Sequence, residues 1–299
     1  MTSPEFGFPK PEDQAPLPPG STIEELRFQW AADLRAAEHH KKIEDALIAM
    51  AEKMAFAVFD GSSQPPGGEI AANLAKDHIE KSLRELPSGL SMEEIIYRFR
   101  EMFAQAHKTI LEASATNSEL RGIATTATLM QVIRAPGGKK RVVIANAGDS
   151  RVCILRKGKR VLEQITRDNT VYNDMLVAGG KTEEQIIENQ VRISNVADGT
   201  TLEKTEQRLL REWGDMLSNG LGGSSMADFS AVPDIYTPLI EDGDMVLIFT
   251  DGVGKKYTDQ DIAQIVLEEK DPDRIIKRLV QDPPYPDDAA AAALKLLAA

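Results

Sequence analysis

Two apolar, β-rich runs in this chain each stop at an Asp-Gly pair. Phe56-Ala57-Val58-Phe59 leads into Asp60-Gly61, and Val246-Leu247-Ile248-Phe249-Thr250 leads into Asp251-Gly252. A short apolar run closed by a turn signal reads as a buried strand. Such a strand fixes the aspartate backbone, and glycine lets the chain turn away with its carbonyl exposed. Oxygen ligands of this kind suit hard divalent cations. Two ions about 3.5–4 Å apart can share a bridging carboxylate, hold a water of lowered pKa and neutralise charge during in-line attack on phosphorus. Taken singly, Asp-Gly is first of all a turn dipeptide. The chain has two more, Asp198-Gly199 and Asp242-Gly243, and both read as turns.

The remaining pattern alternates strand and helix blocks. Residues 1–21 are rich in Pro and Gly without periodicity and read as a disordered leader, leaving 22–299 as one folded domain. Lys53 to Phe59 reads as a strand, and Glu69 to Glu85 as a helix with Ile70, Leu74, Ile79 and Leu83 inward. Ser91 and Glu94 make a capping box for a second helix, in which Met92, Ile95, Ile96, Phe99, Met102, Phe103, Ala106 and Ile110 keep helical spacing. Thr126 to Ile133 and Arg141 to Ala145 flank the hairpin signal Ala135-Pro136-Gly137-Gly138. Arg151 to Leu155 turns back through Lys157-Gly158-Lys159, and a polar, helix-like stretch occupies roughly 170 to 230. Thr258 to Leu267 and Asp271 to Val280 read as helices, the second with Pro272 at its first position. Two strand blocks separated by paired helices predict an α+β layered fold.

Charge and cysteine content narrow the function. A formal net charge of −12 opposes binding to nucleic acid, because the field repels phosphate. It is compatible with carboxylates awaiting cations. No apolar run approaches the roughly 18 residues needed to span a bilayer, and no secretion signal is visible, so a cytoplasmic location is the default expectation. The single Cys153 lies in an apolar run and reads as core packing. His78 and His107 read as surface or packing residues, and Trp30 and Trp213 as anchors.

Seven segments, in order, resemble the metal-dependent protein phosphatases (the PPM or type 2C family). Ala55-Phe56-Ala57-Val58-Phe59-Asp60-Gly61, with Gly67-Gly68 soon after, resembles the family's F-A-V-x-D-G-x-G-G signature. Glu44-Asp45-Ala46 resembles its acidic E-D-A element, and Thr125-Thr126-Ala127 its T-T-A strand. Asn146-Ala147-Gly148-Asp149-Ser150-Arg151 is similar to N-x-G-D-S-R, and Ile165-Thr166-Arg167-Asp168-Asn169 to L-T-x-D-H. Asn219-Gly220-Leu221-Gly222 stands where the family has A-L-G, and Asp244 to Val253 resembles D-x-x-L-x-x-x-D-G-V.

The resemblance implies a four-layer α-β-β-α sandwich with two central, mainly antiparallel sheets flanked by helix pairs. It implies hydrolysis of phosphoserine and phosphothreonine in a phosphorylated protein substrate, by a hydroxide held between two manganese or magnesium ions. Asp60 would bridge the ions, the Gly61 carbonyl would bind one, and Asp251 the other. Glu44 and Asp45 would reach the ions directly or through water. Asp149 would help hold a weaker third cation beside Asp251, and Asp287 aligns with a further metal-binding aspartate.

Three departures qualify the resemblance. Ser62 follows Asp60-Gly61 where the family commonly has His, and a hydroxyl is a weak general acid. The phosphate-binding Arg expected before Asp45 is replaced by His40, leaving Lys41 or Lys42 as the nearby cations, without the planar grip of Arg. The terminal D-N-x-T-V strand appears as Asp287-Asp288 followed by Ala289 to Ala293, whose composition favours helix. These departures keep two other readings open: a scaffold that binds without turnover, and a phosphatase for small phosphorylated molecules.

Overall fold

The computed structural model describes residues 27–38, 42–62, 64–195, 203–223, 229–281 and 286–298. The leader and its boundary at 21/22, His40 and Lys41, and Asp198-Gly199 lie outside the described residues. Strands β1 (Phe28–Arg35), β2 (Asp45–Met50) and β3 (Ala55–Asp60) precede helices α1 (Gly68–Glu85) and α2 (Met92–Thr116). Next come β4 (Ala124–Thr125), β5 (Ala127–Arg134), β6 (Lys140–Ala147), β7 (Arg151–Leu155) and β8 (Leu162–Gln164). The polar stretch forms α3 (Val171–Ala178), α4 (Glu183–Ser194) and α5 (Lys204–Trp213). Short strands β9 (Leu221–Gly222), β10 (Asp234–Tyr236) and β11 (Leu239–Ile240) lead to β12 (Met245–Phe249). The chain then makes α6 (Asp251–Lys256), α7 (Asp259–Glu269), α8 (Pro272–Gln281) and β13 (Ala289–Leu296).

Two antiparallel sheets carry the architecture. One runs β1-β13-β12-β7-β8, and the other β10-β6-β5-β3-β2 with β11 also on β6. Period-two alternation sorts their side chains into three separate cores. Phe56, Val58, Met130, Ile144, Ile154, Val246, Ile248 and Ala292 meet between the sheets. Ala57, Phe59, Leu129 and Val143 face α1 and α2 on one side. Cys153, Leu247, Phe249 and Ala291 face α6, α7 and α8 on the other. Three cores between four layers give the α-β-β-α sandwich, in which each large buried side chain contributes about 1.5–3 kcal/mol. The capping box at Ser91 and Glu94 is present, as is a second at Thr258 and Asp261. Cys153 is fully buried, and burial pushes its thiol up.

The alanine run is strand, against its helical preference. β13 lies between β1 and β12, with ladders on both sides from Ala289↔Arg35 to Leu296↔Phe28 and from Ala291↔Phe249 to Lys295↔Met245. Alternate alanines face the inter-sheet core and the helical layer. Strand preference spans only about 1 kcal/mol per residue and follows context, so two ladders and two packed faces override it. Asp242-Gly243 is a turn, with Gly243 at φ 94°. No helix among the described residues is long and apolar enough to cross a membrane.

Candidate metal centre

Strand ends from both sheets converge on the acidic residues. Asp45 and Asp60 stand opposite each other in the β2–β3 register. Asp149 lies in the turn from β6 to β7, Asp251 directly follows Thr250 at the end of β12, and Asp287 precedes β13. Carboxylate oxygens of Asp60, Asp149 and Asp251 all lie within 4.8 Å of one another. Oδ1 of Asp251 is buried and has no hydrogen-bond partner within the protein. Acceptor-only oxygens gathered in this way, one of them buried and unpaired, are what a divalent cation requires, so the donor set fits the metals expected from the sequence.

The backbone around Asp60 is held by threonines. Asp60 N donates to Thr126 Oγ1 (3.0 Å), while its carbonyl accepts from Thr126 N (2.8 Å) and Thr125 Oγ1 (3.0 Å). Thr126 Oγ1 also bonds Ser150 Oγ at 3.0 Å, which ties the Asp60 strand to the Asp149 turn. That turn needs Gly148, at φ 129°, because a Cβ there would come within 2.5 Å of Thr126 Cβ. Its amide donates to Asn169 Oδ1 (3.0 Å), and its carbonyl accepts from Asn146 Nδ2 (3.1 Å). The threonine, asparagine and serine of the sequence motifs therefore position the acids, without belonging to the cluster themselves.

Asp45 is buried, and its Oδ2 accepts from Thr250 Oγ1 at 2.7 Å. Glu44 contributes through its backbone: its carbonyl accepts from Gly61 N (3.2 Å), and its amide donates to Asp288 Oδ2 (2.5 Å). The other Asp288 oxygen accepts from Ala37 N at 2.6 Å, so this carboxylate clamps the segment that leads into β2. Asp287, its neighbour, turns instead to Lys255. Lys42, a candidate phosphate ligand, pairs with Glu69 at 2.6 Å in the first turn of α1. Ser62 Oγ donates to the Gln64 carbonyl. His107 packs, accepting from Gly222 N through Nδ1 at 3.0 Å.

Residues 40–275 match the family model described as protein phosphatase 2C. The chain belongs to that family. The serine/threonine phosphatase Stp of Listeria monocytogenes is 24% identical over 160 residues, covering 53% of this chain and 61% of its own length. The chain thus spans about three-fifths of the curated relatives it matches first. The fold is that of the Mycobacterium tuberculosis serine/threonine phosphatase PstP/Ppp, at TM-score 0.66 and 20% identity over 91% of this chain and 99% of that one. It is also that of the PstP catalytic domain in complex with two manganese ions, at TM-score 0.64 and 19% identity over 92% and 100% of the two chains.

One group escaped the sequence reading. Lys255 Nζ lies 2.6 Å from Asp251 Oδ2 and 2.5 Å from Asp287 Oδ2. The helical spacing of four residues from Asp251 is the signal that could have found it, had Asp251 been read as a helix start.

Crowding of like charges sets the electrostatics. Burial, then the charges of Asp251, Asp45 and Asp149, pushes Asp60 well above the usual carboxylate range. Asp149 is raised by burial and by Asp251 and Asp168, and Asp45 by burial and by Asp251, Asp288 and Asp287, against the Thr250 hydrogen bond. Burial also raises Asp251, which Lys255 opposes. Burial works against the Lys255 charge, but Asp251 and Asp287 outweigh it and hold the ammonium above its usual range. A carboxyl raised on folding binds more protons folded than unfolded between its two pKa values, so its contribution to stability falls as pH rises through that window. Metal and proton compete for the same oxygens. The rise in Tm on adding manganese is therefore expected to shrink as pH falls from about 8 towards about 5, where unperturbed carboxyls begin to protonate. Thermal melts with and without manganese across that range measure it.

Proposed function

We propose that this chain is a phosphatase that releases phosphate from phosphoserine and phosphothreonine in proteins, using two manganese or magnesium ions. The observation that carries the reading is the convergence of Asp60, Asp149 and Asp251 carboxylates within 4.8 Å, with a buried Asp251 oxygen left unpaired. Family membership over residues 40–275 supports it. So do the activities named for the Listeria and Mycobacterium proteins and the two manganese ions of the PstP complex. When bound, divalent ions supply Lewis acidity and a water acidified enough to attack at neutral pH.

The chain's own residues then have separable tasks. Asp60 and Asp251 would hold the ions, with the Gly61 carbonyl, Asp287 and, directly or through water, Glu44 and Asp45 completing the set. Asp149 would help hold a weaker third cation beside Asp251. Thr126, Ser150 and Thr250 keep these carboxylates in place. No side-chain nucleophile is required. The substrate is a phosphorylated protein in the cytoplasm.

Purified full chain with manganese is expected to release phosphate from para-nitrophenyl phosphate and from phosphoserine or phosphothreonine peptides. Chelation by EDTA is expected to abolish the release. A panel of phosphorylated metabolites run alongside should be hydrolysed more slowly than the peptides. Manganese binding without release from any ester would replace this reading with that of a non-catalytic scaffold.

A further inference from the structure

We infer that the Lys255 ammonium is a tethered cation that competes with a metal ion for the Asp251–Asp287 carboxylate pair, making one metal position weaker than the other. The inference rests on the metal-centre reading above and deepens it. Asp251 opens α6, so a side chain four residues on projects over the same face. Lys255 Nζ reaches Oδ2 of Asp251 at 2.6 Å and Oδ2 of Asp287 at 2.5 Å, joining carboxylates that come from opposite ends of the last helical block. Both oxygens face the ammonium together because Asp287 is itself oriented, its Oδ1 accepting from Asp288 N at 2.9 Å.

The two occupants exclude each other. Divalent magnesium sits about 2.0–2.1 Å from its oxygens, and an ammonium on the same pair would then be a neighbouring like charge a few ångströms away. Lysine suits a displaceable role: its charge is a compact point on a flexible four-carbon stem. Its side chain here is 39% exposed, so the stem has a way out to solvent. The ion pairs of Lys255 are with Asp251 and Asp287 and do not include Asp60, and Asp251 keeps its buried Oδ1 free of hydrogen bonds. A position built on Asp60 and that Asp251 oxygen can fill with Lys255 in place, whereas the position built on Asp251 and Asp287 fills only when Lys255 swings away.

Calorimetric titration of the full chain with manganese chloride tests this, comparing wild type with Lys255→Met and Lys255→Arg. Wild type is expected to bind in two unequal steps. Lys255→Met should tighten the weaker step about tenfold or more and leave the stronger step within about twofold, while Lys255→Arg keeps the weak step. A second readout is stability. Metal-free Lys255→Met should melt below metal-free wild type, since Asp251 and Asp287 lose their counter-ion, yet with saturating manganese it should melt at or above wild type. Unchanged manganese affinity in a folded Lys255→Met protein overturns the inference alone. Unchanged affinity with a raised KM for para-nitrophenyl phosphate also overturns it, assigning Lys255 to the phosphate instead. Absence of manganese binding by all three proteins overturns the metal-centre reading and this inference with it.

Discussion

Asp60→Asn is expected to lower metal-dependent phosphate release about 10³-fold or more while raising the melting temperature of the metal-free protein. The two effects have one origin. Asp60 stands among Asp45, Asp149 and Asp251, and burial with their charges holds its carboxyl well above the usual range. Removing one negative charge from such a cluster relieves repulsion, a gain of about 1–2 kcal/mol of the kind seen when functional strain is removed. In a domain of this size that corresponds to a rise of roughly 2–8 °C. Asparagine keeps the backbone hydrogen bonds to Thr125 and Thr126, so the local fold should persist. What it loses is the anionic oxygen pair that could bridge two cations. Several kcal/mol of transition-state charge stabilisation depend on the metals, and at about 1.36 kcal/mol per tenfold this sets the predicted loss. Initial rates with para-nitrophenyl phosphate and thermal melts in EDTA measure both. Wild-type rates in the variant would end the two-metal reading, and a lowered metal-free Tm would end the account of charge crowding.

The fold and much of the site were legible because several signals agreed. Helix α2 carried a capping box and a regular apolar stripe, and the structure has both. β3 and β12 were apolar runs ended by Asp-Gly, and their acids converge. The ordered motifs, read as a resemblance, anticipated the four layers that no single segment could show. Gly148, Thr126 and Ser150 belong to those motifs, yet their physical task emerged only in three dimensions. They lock two turns together across sequence distances that no local pattern reports.

Other elements were hidden for reasons that are equally physical. β13 is helix-prone in isolation and becomes a strand because β1 and β12 supply ladders on both edges. β1 is half-buried along most of its length, so its apolar pattern is weak. The relation between Asp287 and Asp288 could not be read from adjacency. Consecutive strand-like residues face opposite ways, and one carboxylate clamps the amides of Ala37 and Glu44 while the other meets Lys255. Lys255 is hidden in the sequence because Asp251-Gly252 reads as a turn signal, whereas it is the first turn of α6.

That reassignment changes what the glycine does and gives the second large effect: Gly252→Ala is expected to destabilise the protein by about 3 kcal/mol or more. Helix propensity alone predicts the opposite sign, since alanine in place of glycine gains up to about 1 kcal/mol in a helix interior. Packing decides the matter. A Cβ at position 252 would lie 1.8 Å from the Asp288 carbonyl oxygen and 2.8 Å from its carbon. Both atoms are backbone, so no rotamer change relieves the clash, and α6 or the start of β13 must move. Overpacking commonly costs about 1–3 kcal/mol even where side chains can yield, and here the strand that would shift is paired on both edges. The same displacement would separate Asp251 from Asp287 and weaken manganese binding. Gly254→Ala is the matched control, on the same helix with nothing within 4 Å of its added Cβ. Metal-free melts should show Gly252→Ala lowered by about 6 °C or more, with Gly254→Ala unchanged or slightly raised. Equal melting of the two variants would mean that α6 and β13 do not approach this closely, and the Asp251–Asp287 pairing would lose its structural basis.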